Sequence, residues 1–330
     1  MVLNVTSSIL QPLFGYLFDR TKARFLVEVG ISVNCIGMAL TGIVPDYNLL
    51  LLAVGTAGLG HAAFHPPAFS TVTSASATSR GRSMSIFTSG GNVGSFLGPF
   101  LAGVIVTTMG REGLLLLLPT GLATAALLFR VIPHKERDTL PKTGSIPANK
   151  QLLALLICIT AFRSITIQSS STFLPLFLVS KGNSLLLATS ITSFWLAVGV
   201  VGQLAGGFLS DRIGERPVIV VSLIAGAIVF YGFLVVEGSF SLLLLMVSAT
   251  LLYASWSVIV VMSCEAAPSH VGTVTGLMLG FSVGVGGLAS TVLGALADMI
   301  GLASAFTIMS VFALVGGLLA LLLPSKVRRP

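Results

Sequence analysis

Runs of about 20 apolar residues recur along the chain, and this recurrence restricts its fold more than any other feature. Residues 25–44, 113–132 and 303–323 are clear examples. A helix of this length, rising about 1.5 Å per residue, crosses a hydrocarbon core of about 30 Å. The runs are too numerous for one signal peptide followed by a soluble domain. The pattern therefore predicts an all-α membrane protein with many spans.

The residue composition agrees with a membrane environment. Only 9% of the residues are charged, whereas a soluble domain of this length carries about 25%. The 36 glycines allow membrane helices to approach each other closely. Cys35, Cys158 and Cys264 lie inside apolar runs without pair spacing, which is typical of buried apolar residues and not of disulfides or metal ligands.

Charged and turn residues divide the chain into about eleven predicted spans. Their approximate limits are 1–18, 25–44, 48–73, 83–108, 113–132, 151–178, 185–209, 217–236, 240–265, 272–298 and 301–323. Basic residues are concentrated in alternate loops, and the remaining loops contain only Arg111 and Lys181. Because basic loops stay in the cytoplasm, the chain is predicted to be a multi-pass protein of the cell membrane with a cytoplasmic C-terminus. This placement explains the net charge of +7 without a nucleic-acid partner.

The chain repeats itself. A set of five residues recurs 192 positions later, and the two sets are Gln11, Gly15, Leu17, Asp19, Arg20 and Gln203, Gly207, Leu209, Asp211, Arg212. Two six-helix halves in parallel repeat are the layout of one large class of transporters. We therefore predict an N-terminal bundle at 1–132, a cytoplasmic linker at 133–150 and a C-terminal bundle at 151–330. Alignment of the halves leaves five spans in the first, so the opening helix of a twelve-helix fold would lie upstream of Met1. The alternatives are a fragment or misassigned start and a natural short form.

Two loops carry a family motif. Residues 15–24 and 207–216 resemble the G-x-L-x-D-R-x-G-x-R loop of the major facilitator superfamily, and the second copy is complete. The chain is similar more specifically to the fosmidomycin resistance branch of efflux proteins. That resemblance rests on residues 10–12, 58–66 and 85–94, together with three glycines of a later span, Gly284, Gly286 and Gly287. It implies the two-bundle major-facilitator fold and a secondary active transporter.

The resemblance also implies a function. It suggests proton-coupled efflux of a small anionic or drug-like molecule, similar to fosmidomycin, by a monomer in the lipid bilayer. Two alternatives stay open: uptake of a sugar, organic acid or other metabolite, and a non-transporting or truncated membrane protein. The sequence contains no phosphate-binding glycine-lysine loop, paired-histidine metal site or hydrolase nucleophile turn. We therefore expect no enzyme activity, no cofactor and no metal.

Polar residues in the middle of spans are candidates for substrate binding, because they are costly in hydrocarbon. Arg163 is the foremost candidate, since its planar guanidinium suits a phosphonate or carboxylate; the alternative is an arginine bonded to helix carbonyls. Asn92, Gln11 and Gln168 could bind substrate through hydrogen bonds or could equally bond neighbouring helices. At about 1.5 Å per residue, Arg163 and Asn92 are expected near the midplane of the bilayer.

Two histidines are candidates for proton coupling. His61 and His65 lie four residues apart, so they share one helix face. An imidazole gains and loses a proton near neutral pH, and this could couple transport to a proton gradient. The alternative for His65 is a packing role, with a hydrogen bond to a carbonyl freed by Pro66.

A third group of residues is predicted to control the conformational change. The loop residues Asp19, Arg20, Arg24, Asp211, Arg212 and Arg216 could form contacts that hold one of two states. The alternative is that they only fix the topology. The glycines Gly90, Gly94 and Gly98 form two overlapping G-x-x-x-G steps, which predict close helix packing. The likeness of Gly94, Gly98 and Pro99 to a motif of drug–proton antiporters implies a sealing role.

Overall fold

In the computed structural model, helices make up almost all of the part of the chain that is described, which comprises residues 2–21, 23, 25–75, 79–132 and 148–325. Short 3₁₀ helices at Arg111–Leu116 and Pro268–His270 precede α5 and α10. The α-helices, in chain order, are α1 Val2–Thr21, α2 Leu26–Leu40, α3 Tyr47–Ala75, α4 Arg80–Met109, α5 Leu117–Val131, α6 Lys150–Ser180, α7 Leu185–Ile213, α8 Glu215–Val235, α9 Ser239–Ala266, α10 Val271–Ile300 and α11 Leu302–Ala320.

Each predicted span coincides with one of these eleven helices of the described chain. Eight helical segments are long and apolar enough to cross a membrane, and α2 is apolar but shorter. The all-α prediction is confirmed. Most of the predicted linker at 133–150, namely residues 133–147, lies outside the described residues.

Helices α1 and α7 end later than the sequence predicted. The charged residues of the repeated motif, Asp19 and Asp211, were assigned to loops, but they lie in the last turns of α1 and α7. For α7 the reason is local: the backbone stays helical until Gly214, whose φ of 93° ends the helix and whose N–H donates to the Ser210 carbonyl. Charged residues at a membrane surface therefore did not end the helix, and their side chains project from a helical framework.

The chain forms two compact units. Unit 1 comprises Met1–Ala75, Leu97–Ala148 and Ala267–Gly284, and unit 2 comprises Ser76–Phe96, Asn149–Ala266 and Val285–Pro330. Each unit therefore includes a half-helix from the opposite half of the sequence. The division at 133–150 that the sequence suggested remains a prediction.

In unit 1, glycines allow helix backbones to touch. A Cβ at Gly37 would lie 2.8 Å from the Ala57 Cα of α3, and one at Gly30 would lie 2.8 Å from the Phe64 Cα. Between α1 and α3, a Cβ at Gly58 would lie 3.0 Å from the Thr6 Cβ. Such contacts stabilise membrane helices through van der Waals packing, because burial from lipid provides little hydrophobic driving force.

In unit 2, a cluster of aromatic side chains fills one end of the helix bundle. Phe177 of α6 stacks on Phe306 of α11, with ring centroids 4.7 Å apart, and meets Phe233 of α8 edge to face at 5.6 Å. All three rings are buried. Geometries of this kind stabilise by about 0.5–1.5 kcal/mol per pair beyond area burial. They hold α6, α8 and α11 together at that end of the bundle.

Candidate functional site

Arg163 lies near the middle of α6 and faces α9. It is only 6% exposed, and its Nε donates a hydrogen bond to the Ser255 Oγ at 3.1 Å. The guanidinium carbon lies 5.0 Å from the ring centroid of Trp256 and 5.9 Å from that of Tyr253. The cation therefore sits in an aromatic environment that attracts it through cation–π interactions. It forms no hydrogen bond with a helix carbonyl of the described residues.

The guanidinium of Arg163 has donors to spare. No carboxylate of the described residues pairs with it, and its bond to Ser255 uses one of five N–H donors. Its two terminal nitrogens have no protein partner within the described chain, yet neither is fully enclosed. A buried arginine in this state is costly unless something else binds it. The arrangement can accept a planar anion with two parallel hydrogen bonds.

Tyr253, which the Arg163 guanidinium faces, also lines a cavity of about 240 Å³ in unit 2. Its ring forms part of the cavity wall and meets Trp195 edge to face, with centroids 5.5 Å apart. A Cβ at Gly199 would lie 2.8 Å from the Tyr253 ring, so the glycine lets the ring lie flat against α7. The remaining lining residues are Asn92, Val93, Ser95, Leu196, Ala197 and Val200.

Asn92 reaches the same cavity from α4. Its Nδ2 donates to the Gln203 Oε1 of α7 at 2.8 Å, and the Gln203 Nε2 donates to the Thr88 Oγ1. Gln203 is 1% exposed. Asn92 thus bonds a neighbouring helix and also lines the cavity, and its binding of substrate remains a prediction.

The other two predicted amides lie apart from this cluster. Gln168 of α6 packs near Gly286, and its side-chain amide has no hydrogen-bond partner in the described part of the chain. Gln11 lies in unit 1, where it is 2% exposed and its Oε1 is buried without a partner. Gln11 and Gln203 are equivalent positions of the internal repeat, but the position equivalent to Asn92 is Val283. Gln11 therefore lacks the amide partner that Gln203 has.

His61 and His65 are in contact on α3 in unit 1. Their ring centroids are 4.2 Å apart, and His65 also meets the Phe64 ring at 5.0 Å. The Nδ1 of His65 is buried without a partner, so the hydrogen bond to a freed carbonyl is not formed there. Neither imidazole has a hydrogen bond to any described residue. Neither ring is therefore committed to a hydrogen bond with another described residue.

The two aspartates of the repeated motif make equivalent contacts. In unit 1, the Asp19 carboxylate accepts hydrogen bonds from the backbone N–H groups of Gly272 and Thr273, at 2.9 and 2.6 Å, at the start of α10. In unit 2, Asp211 accepts from the N–H groups of Gly81 and Arg82, at 3.0 and 2.9 Å, at the start of α4. A carboxylate at a helix N-terminus bonds otherwise orphaned donors and meets the positive end of the dipole.

The basic residues of the motif differ from one another. Arg20 is exposed and lies over the Tyr16 ring, and Arg212 is exposed without a partner among the described residues. Arg216 donates to the Leu321 carbonyl at the end of α11, at 2.7 Å. Arg24 and the side chain of Pro99 lie outside the described part of the structure.

The glycines of α4 do not pack as predicted. A Cβ at Gly90, Gly94 or Gly98 would meet no atom of the described residues within 4 Å. The prediction of close helix packing is therefore wrong for this structure, and Gly98 instead lines a cavity of about 450 Å³ in unit 1. The G-x-x-x-G spacing alone does not say whether a partner helix is present.

Several site residues were missed from the sequence. Tyr253, Ser255 and Trp256 surround Arg163, and Gln203 was noted only as a repeat of Gln11. A signal did exist for the aromatic pair. Tyr and Trp of membrane proteins concentrate at the two interfaces, whereas Tyr253 and Trp256 lie in the middle of α9. Sequence reasoning also missed the ion pair of Arg80 with Glu265, at 3.1 Å.

The fold and the buried polar groups define a multi-pass transporter of the secondary type. The family model of the Major Facilitator Superfamily matches residues 1–278 and, in a second match, 156–330. The chain belongs to this superfamily, and the resemblance inferred from the motif loops is confirmed. It is a membrane transporter of small molecules and not an enzyme.

Two curated relatives and one solved structure illustrate the relationship. The chain is 29% identical over 341 residues to the fosmidomycin resistance protein of Escherichia coli (strain K12), with 99% of this chain and 83% of that protein covered. It is 30% identical over 350 residues to the uncharacterized MFS-type transporter YfnC of Bacillus subtilis (strain 168), with 98% and 82% covered. The crystal structure of the transporter FucP in the outward conformation matches with a TM-score of 0.80 at 14% identity, over 97% of this chain and 89% of that one. This match shows the two-bundle fold.

Proposed function

We propose that this transporter exports small anionic or drug-like molecules, with chemistry similar to that of fosmidomycin, in exchange for protons. The observation that carries the proposal is Arg163, a buried cation with free donors and no carboxylate partner in the described chain. Arg163 contacts Tyr253, which lines the cavity, so the phosphonate or carboxylate of a substrate in the cavity would lie close to the guanidinium. The similarity to the fosmidomycin resistance protein supports export as the direction.

Proton coupling is assigned to His65, with His61 as its neighbour. The His65 imidazole has no hydrogen-bond partner among the described residues, and an imidazole can bind and release a proton near neutral pH. The transporter works as a monomer in the cell membrane, with the linker and the C-terminus in the cytoplasm. This orientation follows from the basic loops.

Transport in everted membrane vesicles tests this function. A pH difference of one unit, acidic inside, provides about 1.4 kcal/mol per proton and supports about tenfold accumulation of fosmidomycin at one-for-one exchange. We expect accumulation that collapses when a protonophore removes the gradient. The variant His65→Gln keeps a polar side chain without a titrating imidazole, so fosmidomycin should only equilibrate across the membrane.

The control for this experiment is His270→Gln. His270 is exposed in the 3₁₀ helix before α10, and its replacement should leave gradient-driven accumulation unchanged. Accumulation by His65→Gln at the level of the unmodified protein would remove His65 from the coupling mechanism. If fosmidomycin accumulation by the unmodified protein does not depend on the pH gradient, proton exchange is rejected altogether.

The aspartates at the ends of α1 and α7 hold one conformation of the transporter. Secondary transporters alternate between two states by relative movement of their repeats. The bonds of Asp19 and Asp211 join helix ends that are distant in sequence, and such contacts can be released in the other state. Gly94, Gly98 and Pro99 are assigned to the same conformational control, as are Arg20, Arg24, Arg212 and Arg216.

Asp19→Asn and Asp211→Asn are each expected to slow transport about tenfold. An asparagine has one acceptor oxygen, and its NH₂ group would face a backbone donor, so charge-assisted bonds of about 1.5–3 kcal/mol are lost. Initial rates in vesicles measure the effect. Substrate affinity of the purified protein should change less than about threefold, because neither aspartate lies at the cavity.

A matched control is available in the loop before α3. The Oδ1 of Asp46 accepts from the N–H groups of Asn48 and Leu49, both at 2.9 Å, so Asp46 caps its own helix. Asp46→Asn should therefore reduce stability slightly and leave the transport rate intact. Equal slowing by Asp46→Asn would show that loss of a helix cap, and not loss of a conformational contact, explains the effect.

A further inference from the structure

A chain of three side chains in unit 2 fixes which end of the Asn92 amide faces the cavity. The Thr88 hydroxyl donates to the Met84 carbonyl of its own helix at 2.8 Å. Its oxygen is then free to accept, and it accepts from the Gln203 Nε2. The opposite end of Gln203, its Oε1, accepts from the Asn92 Nδ2 at 2.8 Å. Each bond orients the next one.

Burial prevents this chain from reversing easily. Gln203 is 1% exposed, and Thr88 is also buried. If the Gln203 amide alone turned over, its oxygen would face the Thr88 oxygen, and its NH₂ would face the Asn92 NH₂, which would be costly at the buried Gln203. Reversal of all three side chains together would break the bond from the Thr88 hydroxyl to the Met84 carbonyl. The Thr88 hydroxyl therefore sets the orientation of an amide two side chains away.

The wall of α4 consequently offers acceptors to the cavity. Asn92 has used its NH₂ on Gln203, so its Oδ1 remains, and this atom is neither bonded within the described chain nor fully enclosed. Ser95, one turn further along, donates its hydroxyl hydrogen to the Gly91 carbonyl at 3.1 Å, which leaves its oxygen as an acceptor. Both residues line the cavity of about 240 Å³ beside Tyr253.

We propose that the substrate carries a hydrogen-bond donor, such as a hydroxyl, N-hydroxyl or amine group, that bonds the Asn92 Oδ1 while its anionic group pairs with Arg163. Asn92 is then a binding residue that selects for the donor, and Thr88 is a positioning residue that acts through Gln203. This inference rests on the proposed anion export and narrows its substrate class. An anion of the same size with an acceptor in place of the donor would place its acceptor oxygen against the Asn92 Oδ1 and form no hydrogen bond there.

Intrinsic fluorescence of the purified protein can test this inference directly. The two tryptophans of the chain, Trp195 and Trp256, lie beside Tyr253 and Arg163, so quenching reports on this site. The probes are fosmidomycin, a phosphonate with an N-hydroxyl donor, and its O-methyl ether, which lacks that donor. We expect fosmidomycin to bind at least about tenfold more tightly than the ether, because the ether leaves a buried acceptor unpaired.

Thr88→Val separates the hydrogen-bond argument from steric exclusion of the methyl group. Valine has a similar shape but no hydroxyl, so the Gln203 and Asn92 amides can turn, while the cavity keeps its size. Discrimination between the two probes should fall to about threefold or less, mainly through tighter binding of the ether. Thr275→Val is the control, since the Thr275 hydroxyl bonds only the Val271 and Gly272 carbonyls of its own helix.

The possible outcomes distinguish this inference from the function on which it rests. Equal affinity of the unmodified protein for both probes would overturn the inference and leave anion export intact. If neither probe binds, anion export is overturned and, with it, the inference. Discrimination that survives Thr88→Val unchanged would show that Thr88 does not orient Asn92. Equal loss in Thr275→Val would attribute the effect to general destabilisation.

Discussion

Arg163→Met is expected to weaken fosmidomycin binding about 100-fold while the protein remains at least as stable as before. Two charge-assisted hydrogen bonds of about 1.5 kcal/mol each account for this loss of affinity. The terminal nitrogens of Arg163 have no partner in the described chain, so they are free to form these bonds with a phosphonate. Tryptophan quenching measures the affinity, and export by everted vesicles measures the functional loss.

The stability half of this prediction distinguishes a binding residue from a structural one. A buried arginine without a carboxylate partner destabilises a fold, and an apolar residue of similar length removes that cost. Methionine can retain the packing against Tyr253 and Trp256. The thermal midpoint of Arg163→Met in detergent should therefore equal or exceed that of the unmodified protein. A marked fall in the midpoint would make Arg163 a structural residue.

Two further variants complete the test of Arg163. Arg163→Lys keeps the charge but cannot form the bidentate pair, so its affinity should lie between those of the other two proteins. Arg130→Met removes a comparable cation from the exposed end of α5 and should leave binding unchanged. Unchanged affinity in Arg163→Met would eliminate the assignment of the substrate anion to this residue.

The helical framework was predictable because the physics that sets it is local. A bilayer requires apolar runs of nearly constant length, and α6 and α9 appear in the sequence as such runs. The ends of the helices were less predictable. Asp211 and Arg212 resemble the start of a loop, whereas the backbone continues to the positive-φ glycine Gly214. Charge indicates the membrane surface, and the glycine indicates the helix end.

The candidate site was predictable only where a single polar residue lies in the middle of a membrane-spanning helix. Arg163 stands out in an apolar helix, and Asn92 and His65 stand out for the same reason. Their partners could not be predicted, because contacts such as that of Asn92 with Gln203 depend on how α4 and α7 pack. The open face at Gly94 was missed for the same reason. Small residues permit a close contact but do not provide the partner.

Gly206→Val is expected to lower the thermal midpoint by about 6–12 °C. A Cβ at Gly206 would lie 2.7 Å from the Ala254 carbonyl carbon and 2.8 Å from its Cα, so α7 and α9 touch backbone to backbone there. Backbone atoms cannot turn away as a side chain can, and overpacking costs about 1–3 kcal/mol or more. At about 2–4 °C per kcal/mol, a cost near 3 kcal/mol gives the stated fall. Thermal unfolding in detergent measures it.

The same variant should also disturb the site, because Tyr253 directly precedes Ala254 on α9 and Gln203 lies one turn before Gly206 on α7. Separation of the two helices moves the Tyr253 ring from Gly199 and weakens fosmidomycin quenching. Gly287→Val is the control: Gly287 is exposed on α10, where a Cβ would meet no atom of the described chain within 4 Å, so both the midpoint and the quenching should stay unchanged. If Gly206→Val has the same thermal midpoint as the unmodified protein, then α7 and α9 do not meet at Gly206. The packing that holds Tyr253 against Arg163 would then be incorrect.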